Sequence, residues 1–315
     1  MRAELEVRAA AARTSCRDRD TSVSDAGSGS SVTRVTALRQ LASPTGLKPG
    51  DHVFWTFDDP SGFSAAVLPY LDEGRRLSEQ LLLIGASRAD LLDALAPLPE
   101  RDELLASGQL EVRCMTEVVD PARGLEPVER VESFRRETEV ALGRGRTGLR
   151  VAVDVTTLAQ RGAVERRQLH VYERLADGMA ATVALTALCL FDSSLDDDVL
   201  RPLAVLHPDQ HHGGRETLGC LCGRGPWLSL RGEVDYSLTD AVLRALVDVA
   251  RDAPGEVVLD LADLEFLDVA GARMLASAVR LLGEVGVHLR LVRAPRPVGR
   301  CLELFDLADG QAVCT

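Results

Sequence analysis

The chain has 315 residues, 46% of them hydrophobic and 27% charged, with a net charge of −12 at pH 7 and a pI near 5.1. At ~100–200 residues per domain this is about two domains' worth of ordinary globular composition, which excludes a miniprotein and a wholly disordered chain. An acidic chain with no basic run lacks the electrostatic footprint that nucleic acid or an anionic membrane surface demands, so neither is expected as a partner.

The amino terminus carries charges at Arg2, Glu4, Glu6 and Arg8 and never reaches the apolar core of a secretion signal. That predicts a cytoplasmic protein whose seven cysteines are thiols. Residues 1–45 are expected to be a disordered tail. From Asp18 to Thr33 the only bulky apolar side chains are two valines, too few to offset the ordering entropy. From 46 to 208, short β-rich runs alternate with segments of helical period. The runs are HVFWTF at 52–57, QLLLIGA at 80–86, LEVRCM at 110–115, LRVAVDV at 149–155 and TVALTALCLF at 182–191. This alternation predicts crossover connections and a mostly parallel sheet covered on both faces. Between the first two runs, Phe63, Ala66, Val67, Tyr70 and Leu71 recur at spacings of three and four, which defines one helical face, and Pro69 is expected to kink or restart that helix. The longest uncharged apolar-leaning stretch, Gly178 to Phe191, has 14 residues, short of the ~18–20 that span a bilayer.

Residues 209–216 have the polar, glycine-bearing composition of a linker, and 217–315 read as a second, smaller α/β domain. Its strands are expected at 227–235, 256–261 and 288–294, with helices from Ser237 to Arg251, Val269 to Gly286 and Val298 to Leu307. Ser237 and Asp240 have the spacing of a capping box, and Asp268 stands where an N-cap belongs.

The order GEVD, VVLDLADLEFLD, Gly271, a helix, LRLVRAP and CLELFDL resembles the STAS domain of anti-sigma-factor antagonists, from about Leu218 to the end. In that family the strand-to-helix turn reads Asp-Ser-Ser-Gly or Asp-Ser-Thr-Gly, and a partner kinase phosphorylates the second hydroxyl residue. The resemblance implies a partner-binding face made of Asp268, Val269, Ala270 and Gly271 with Met274 on the following helix. Neither Val269 nor Ala270 has a hydroxyl, so this copy is expected to bind its partner without phosphate control or to serve in assembly.

In the first domain Gly50, Asp51 and His52, then Glu73 and Gly74, then Cys189, Phe191 and Asp192, then His207 and Pro208 resemble the MEDS domain, a sensory module of methanogen and methylotroph proteins. Phe191 stands where the family pattern has tyrosine. The resemblance implies a RecA-like α/β fold. A Walker A phosphate loop needs a lysine after its glycines, and the only lysine, Lys48, precedes the first strand, so ATP hydrolysis by that device is excluded. A small-molecule ligand at the carboxyl ends of the strands remains. The candidate residues are His52, Asp58, Asp59, Cys189, Asp192 and His207, against a structural reading of the aspartates as helix caps and Cys189 as a buried small hydrophobe.

His207, His211, His212, Cys220 and Cys222 fall within sixteen residues but match no zinc spacing, so neither a metal site nor a cofactor is expected. A hydrolase using Cys189 with His207 or His52 lacks a nucleophile elbow, so no enzyme is expected. The sequence thus predicts an α/β protein, a RecA-like mostly parallel sheet domain followed by a small STAS α/β domain. Its expected role is a cytoplasmic bacterial signalling regulator that controls transcription through a protein partner. That partner is an anti-sigma factor of the serine-kinase type or another STAS protein, with an unidentified small molecule as input passed on through the linker. A scaffold subunit that senses nothing is the competing reading.

Overall fold

The computed structural model describes residues 38–213 and 218–307. The expected tail up to residue 37, and residues 214–217 of the expected linker, lie outside the described residues. Among the described residues the first domain runs β1 (Arg39–Gln40), β2 (His52–Phe57), α1 (Pro60–Arg76), β3 (Gln80–Gly85), α2 (Arg88–Ala94), α3 (Arg101–Ala106), β4 (Leu110–Cys114), α4 (Met115–Val118), α5 (Pro127–Gly143), β5 (Leu149–Asp154), α6 (Thr156–Ala159), α7 (Ala163–Ala180), β6 (Leu185–Asp192), α8 (Asp197–Val205) and β7 (Asp209–His211). The strands lie in the order β1-β7-β2-β6-β5-β3-β4, with every pairing parallel.

Side chains that alternate along each strand supply two separate cores. Val53, Trp55, Leu81, Leu83 and Leu188 pack with Val67, Tyr70 and Leu71 of α1 on one face. Phe54, Leu82, Val151, Cys189 and Phe191 pack with residues of α5, α7 and α8 on the other. Burial on both faces is why β3 reads as an unbroken apolar run. Helix α1 continues through Pro69 without restarting, because Val67, Tyr70 and Leu71 on both sides of the proline are buried against the sheet. Asp59 caps it and Pro60 occupies its first turn, where a missing N–H costs nothing.

Two short strands lie outside the expected bounds of this domain. Arg39–Gln40 falls in the expected tail and Asp209–His211 in the expected linker, yet they pair with each other at the sheet edge. Arg39 donates Nε and Nη2 to the two carboxylate oxygens of Asp209 at 2.5 and 2.6 Å, a fork that locks a ladder too short to hold by itself.

The second domain runs β8 (Gly219–Arg224), β9 (Trp227–Val234), α9 (Thr239–Ala250), β10 (Glu256–Asp260), β11 (Leu264–Leu267), α10 (Val269–Glu284), β12 (His288–Val292) and α11 (Arg296–Glu303). Its sheet has the order β11-β9-β10-β12 with parallel pairings, and β8 lies antiparallel on β9. Ser237 does not cap α9. Asp235, two residues earlier, accepts the Ser237 N–H at 2.9 Å and its hydroxyl at 2.6 Å, and this local turn takes the oxygen that the capping box required.

The domains share buried surface. Val205 and Leu206, at the end of α8, belong to the hydrophobic core of the second domain with Leu238, Val242 and Leu246. Helix α7 packs against α9 and β8, and α8 packs against α9. Polar contacts edge this junction: Arg167 pairs with Asp252, His170 Nδ1 lies 2.8 Å from Asp248, and Arg201 donates to the Ser237 carbonyl at 2.7 Å. The domains therefore meet through packed helices, not only through the linker that the sequence suggested. No helix among the described residues is long and apolar enough to cross a membrane.

Candidate functional site

His52 opens β2, and the parallel register sets it beside Ala187 and Phe54 beside Cys189 of β6. Residues two apart on paired strands share a face, so His52 and Cys189 both lie beneath α7. That helix supplies Glu173, and the turn after α8 supplies His207. His52 Nε2 is 3.4 Å from Cys189 Sγ and 3.3 Å from Glu173 Oε2, the Cys189 thiol donates to the same oxygen at 3.8 Å, and His207 Nε2 lies 3.5 Å from it. All four side chains are buried, Cys189 at 4% exposure being the least enclosed. His207 donates its Nδ1–H to the Leu203 carbonyl at 2.8 Å, which leaves a lone pair on Nε2.

The electrostatics follow from this enclosure. Burial raises the Glu173 carboxyl, but the two histidines outweigh it and hold the group at about 2, so it is a carboxylate. Burial, and then His52, push the His207 imidazole below its usual value. Burial and the neighbouring Glu173 push the Cys189 thiol well up, so this cysteine has neither the access nor the ionisation of a nucleophile. The set of two imidazoles, a thiol and a carboxylate, with donor atoms all within 4.8 Å of one another, has the composition of a metal-ligand shell.

Three of these four residues were candidates from sequence; Glu173 was not. Its signal lay in the buried stripe of α7, where Leu169, Ala176 and Ala180 are apolar and Glu173 interrupts them at helical spacing. The other members of the His207-to-Cys222 run, from which no metal site was expected, are scattered. His211 stacks on Trp55 at 3.8 Å and bonds the Leu41 carbonyl, His212 bonds Gln210, and Cys220 and Cys222 are buried on β8 of the other domain.

The remaining motif residues have structural roles at the edge of the sheet and on both of its faces. Gly50 takes a φ of +100° that favours glycine, and Asp51 then receives the Lys48 N–H at 2.8 Å and pairs with Arg39 at 3.0 Å. The Arg39 N–H in turn bonds the Pro208 carbonyl, which ties the Gly-Asp-His start to the His-Pro end. Glu73 and Gly74 accommodate Arg150, whose fully buried guanidinium lies 4.7 Å above the Tyr70 ring and pairs with Glu73 and Glu79. A Cβ on Gly74 would sit 2.5 Å from Arg150 Cδ. Phe191 stacks on Phe54 at 4.6 Å, an apolar contact in place of any hydroxyl.

Asp58, Asp59 and Asp192 lie elsewhere, in a cleft of about 720 Å³ at the carboxyl ends of the strands that Phe57, Asp90 and Asp154 also line. Asp59 is a cap, accepting the Gly62 N–H at 2.8 Å, and Asp192 accepts the Ser194 N–H at 2.8 Å. Asp58, hydrogen-bonded by Ser193, also borders a second hollow of about 450 Å³ at the domain junction. The opposite wall of that hollow is Glu233, Asp235, Ser237 and Leu238 of the second domain.

In the second domain Asp268 holds the turn together, accepting the Gly271 N–H at 2.7 Å on one oxygen and the Tyr236 N–H at 3.0 Å on the other. Val269 is 49% exposed, and Tyr236 and Phe266 beside it are 76% and 48% exposed, two aromatic residues that the sequence reading passed over. Met274 does not join this face. Five positions beyond Val269 it has rotated into the core and is 4% exposed. Gly271 is buried too, and a Cβ there would lie 2.4 Å from Leu267 Cδ1.

The family model described as MEDS, the MEthanogen/methylotroph, DcmR Sensory domain, matches residues 51–208. The chain belongs to the MEDS family. A second model, described as Mlab, STAS domain, matches residues 223–313, so a MEDS sensory-type domain is followed by a STAS domain, the arrangement of a signalling regulator. No curated protein matches. A solved structure described as "Crystal Structure Analysis of Mglu" is 27% identical over 28% of this chain and 23% of its own length, with a TM-score of 0.23. The MEDS–STAS chain thus spans under a quarter of that protein, and the likeness bears on neither fold nor function.

Proposed function

We propose that this MEDS–STAS chain is a cytoplasmic, non-enzymatic regulator of transcription. In this reading its STAS turn binds an anti-sigma factor of the serine-kinase type, and its MEDS domain adjusts that binding in response to a small molecule. The observation that carries the reading is the continuity from strand ends to turn. Asp58 borders the MEDS cleft and the junction hollow alike, and the far wall of the hollow, Asp235 to Leu238, flanks Tyr236 beside Asp268. A ligand that touches both walls favours one arrangement of the junction and so one affinity at the turn.

The exposed Tyr236, Phe266 and Val269 around a polar turn have the composition of an interface centre. The absence of a hydroxyl at Val269 and Ala270 makes the contact independent of phosphorylation, leaving the MEDS domain as its control.

Titration of the purified chain against serine-kinase-type anti-sigma factors tests this. Binding is expected, and Ala270→Glu, a change that a helix N-terminus tolerates, should weaken it at least about tenfold by placing a charge in the contact. Equal binding by the variant, or no binding to any such factor, overturns the reading.

A further inference from the structure

We propose that His52, Glu173, Cys189 and His207 form a closed tetrahedral site for one zinc ion. The donor geometry is the first argument. Zinc bonds of about 2.0–2.3 Å to nitrogen, oxygen and sulfur place neighbouring ligand atoms roughly 3.3–3.7 Å apart in a tetrahedron. Of the six separations four are 3.3 Å between His52 Nε2 and Glu173 Oε2, 3.4 Å between His52 Nε2 and Cys189 Sγ, 3.5 Å between His207 Nε2 and Glu173 Oε2, and 3.8 Å between Cys189 Sγ and Glu173 Oε2, and all six lie within 4.8 Å.

Unsatisfied polar atoms are the second argument. Among buried side-chain atoms without a hydrogen-bond partner are His207 Nε2 and Glu173 Oε1. With its Nδ1 proton held by the Leu203 carbonyl, His207 in its neutral form turns the Nε2 lone pair toward the Glu173 carboxylate 3.5 Å away, and a cation between the two would be bound by both. The Leu203 contact is also the outer-shell hydrogen bond that fixes the ring of a metal-bound histidine.

Charge is the third argument. On binding, the Cys189 thiol loses its proton to solvent and the sulfur lone pair forms the metal bond. Thiolate and carboxylate together carry two negative charges, the ion carries two positive ones, and both imidazoles are neutral. The site is then uncharged, as a fully enclosed interior requires. All four coordination positions come from the protein, which makes the site structural or regulatory and not hydrolytic. Glu173 is the one donor of the four on a helix, and α7 also carries His170 to the STAS domain one turn earlier, so the ion fastens that helix to the sheet.

The proposal stands apart from the partner reading, since it is read in metal uptake alone. Untagged full-length chain should purify with about one equivalent of zinc. After chelator treatment it should take up one Co(II), giving the visible bands of a tetrahedral ion and a near-ultraviolet thiolate-to-cobalt band. Cys189→Ser should abolish the near-ultraviolet band, and Cys222→Ser should keep it. The site is refuted if wild-type chain gives neither band at stoichiometric Co(II), if the thiolate band survives Cys189→Ser, or if it disappears in Cys222→Ser.

Discussion

His170 Nδ1 lies 2.8 Å from the Asp248 carboxylate, so a MEDS residue and a STAS residue meet one helical turn before Glu173 on the same helix. His170 is 2% exposed and the Asp248 side chain keeps 19% exposure, so the imidazole has its partner at the edge of the junction. Asp248→Ala should therefore cost about 1–3 kcal/mol in chemical denaturation, the penalty of a buried polar group left unpaired. Asp248→Asn keeps an acceptor and should recover at least half of that loss. Equal losses for the two variants would show that the contact contributes through packing alone.

Leu206→Ala extends the same reasoning to the apolar part of the junction. The side chain leaves α8 of the MEDS domain but is buried in the STAS core, so truncation should cost about 2–4 kcal/mol. Because the core is shared, near-ultraviolet dichroism of the STAS Trp227 and of the MEDS Trp55 should lose signal in one thermal transition. Two separated transitions in the wild-type chain would contradict a common core.

Arg150 is the largest of the fully buried side chains and is charged. Arg150→Met removes the cation and strands Glu79, which is 3% exposed, so a loss of about 3–5 kcal/mol is expected. Gly74→Ala should destabilise by about 1–3 kcal/mol through the crowding of Arg150 by the new Cβ. In the double variant Gly74→Ala with Arg150→Met the glycine effect should shrink only in part, since Arg150 Nε is removed while Leu81 Cδ2 would still lie 2.6 Å from the new Cβ. Strict additivity in denaturant titrations would assign the crowding to Leu81 and not to the arginine.

Asp154 provides a pH dependence. Burial, against its hydrogen bonds from Thr156, pushes this carboxyl above its ordinary value of 3.8. A folded-state value above the unfolded one means that folding favours the protonated form. The group's contribution is therefore full below 3.8 and is lost as pH rises through the folded value. Asp154→Asn keeps the oxygen that accepts the Thr156 N–H and removes the charge, so at neutral pH it should raise the melting temperature by about 2 °C. The gain should fade as the pH is lowered toward about 4. A gain that is constant with pH would point to a cause other than ionisation.

The long elements were legible because their apolar spacing is set by local geometry. HVFWTF, QLLLIG and LRVAVD each fall within a run read from the sequence as a strand, and the face from Phe63 to Leu71 lies on α1 as its period required. Local spacing fails where partners are distant. Arg39–Gln40 and Asp209–His211 carry little apolar signal and become strands through an ion pair across 170 positions. Glu173 joins His52 across 121 positions by α7 lying over the sheet, a relation that no window of sequence contains. Ser237 and Met274 fail differently. Asp235 competes for the serine oxygen, and the helical turn carries the methionine away from Val269.

The burial of Val205 and Leu206 in the STAS core has a consequence for how this chain can be recombined. A STAS domain cut at residue 217 leaves behind two side chains that fill its interior, and a MEDS domain cut at residue 208 carries them exposed. A single crossover therefore cannot serve both domains: placed upstream of Val205 it keeps the STAS interior whole but takes β7 from the MEDS sheet and from Arg39, and placed after His211 it does the reverse. As units of inheritance the two domains overlap by several residues.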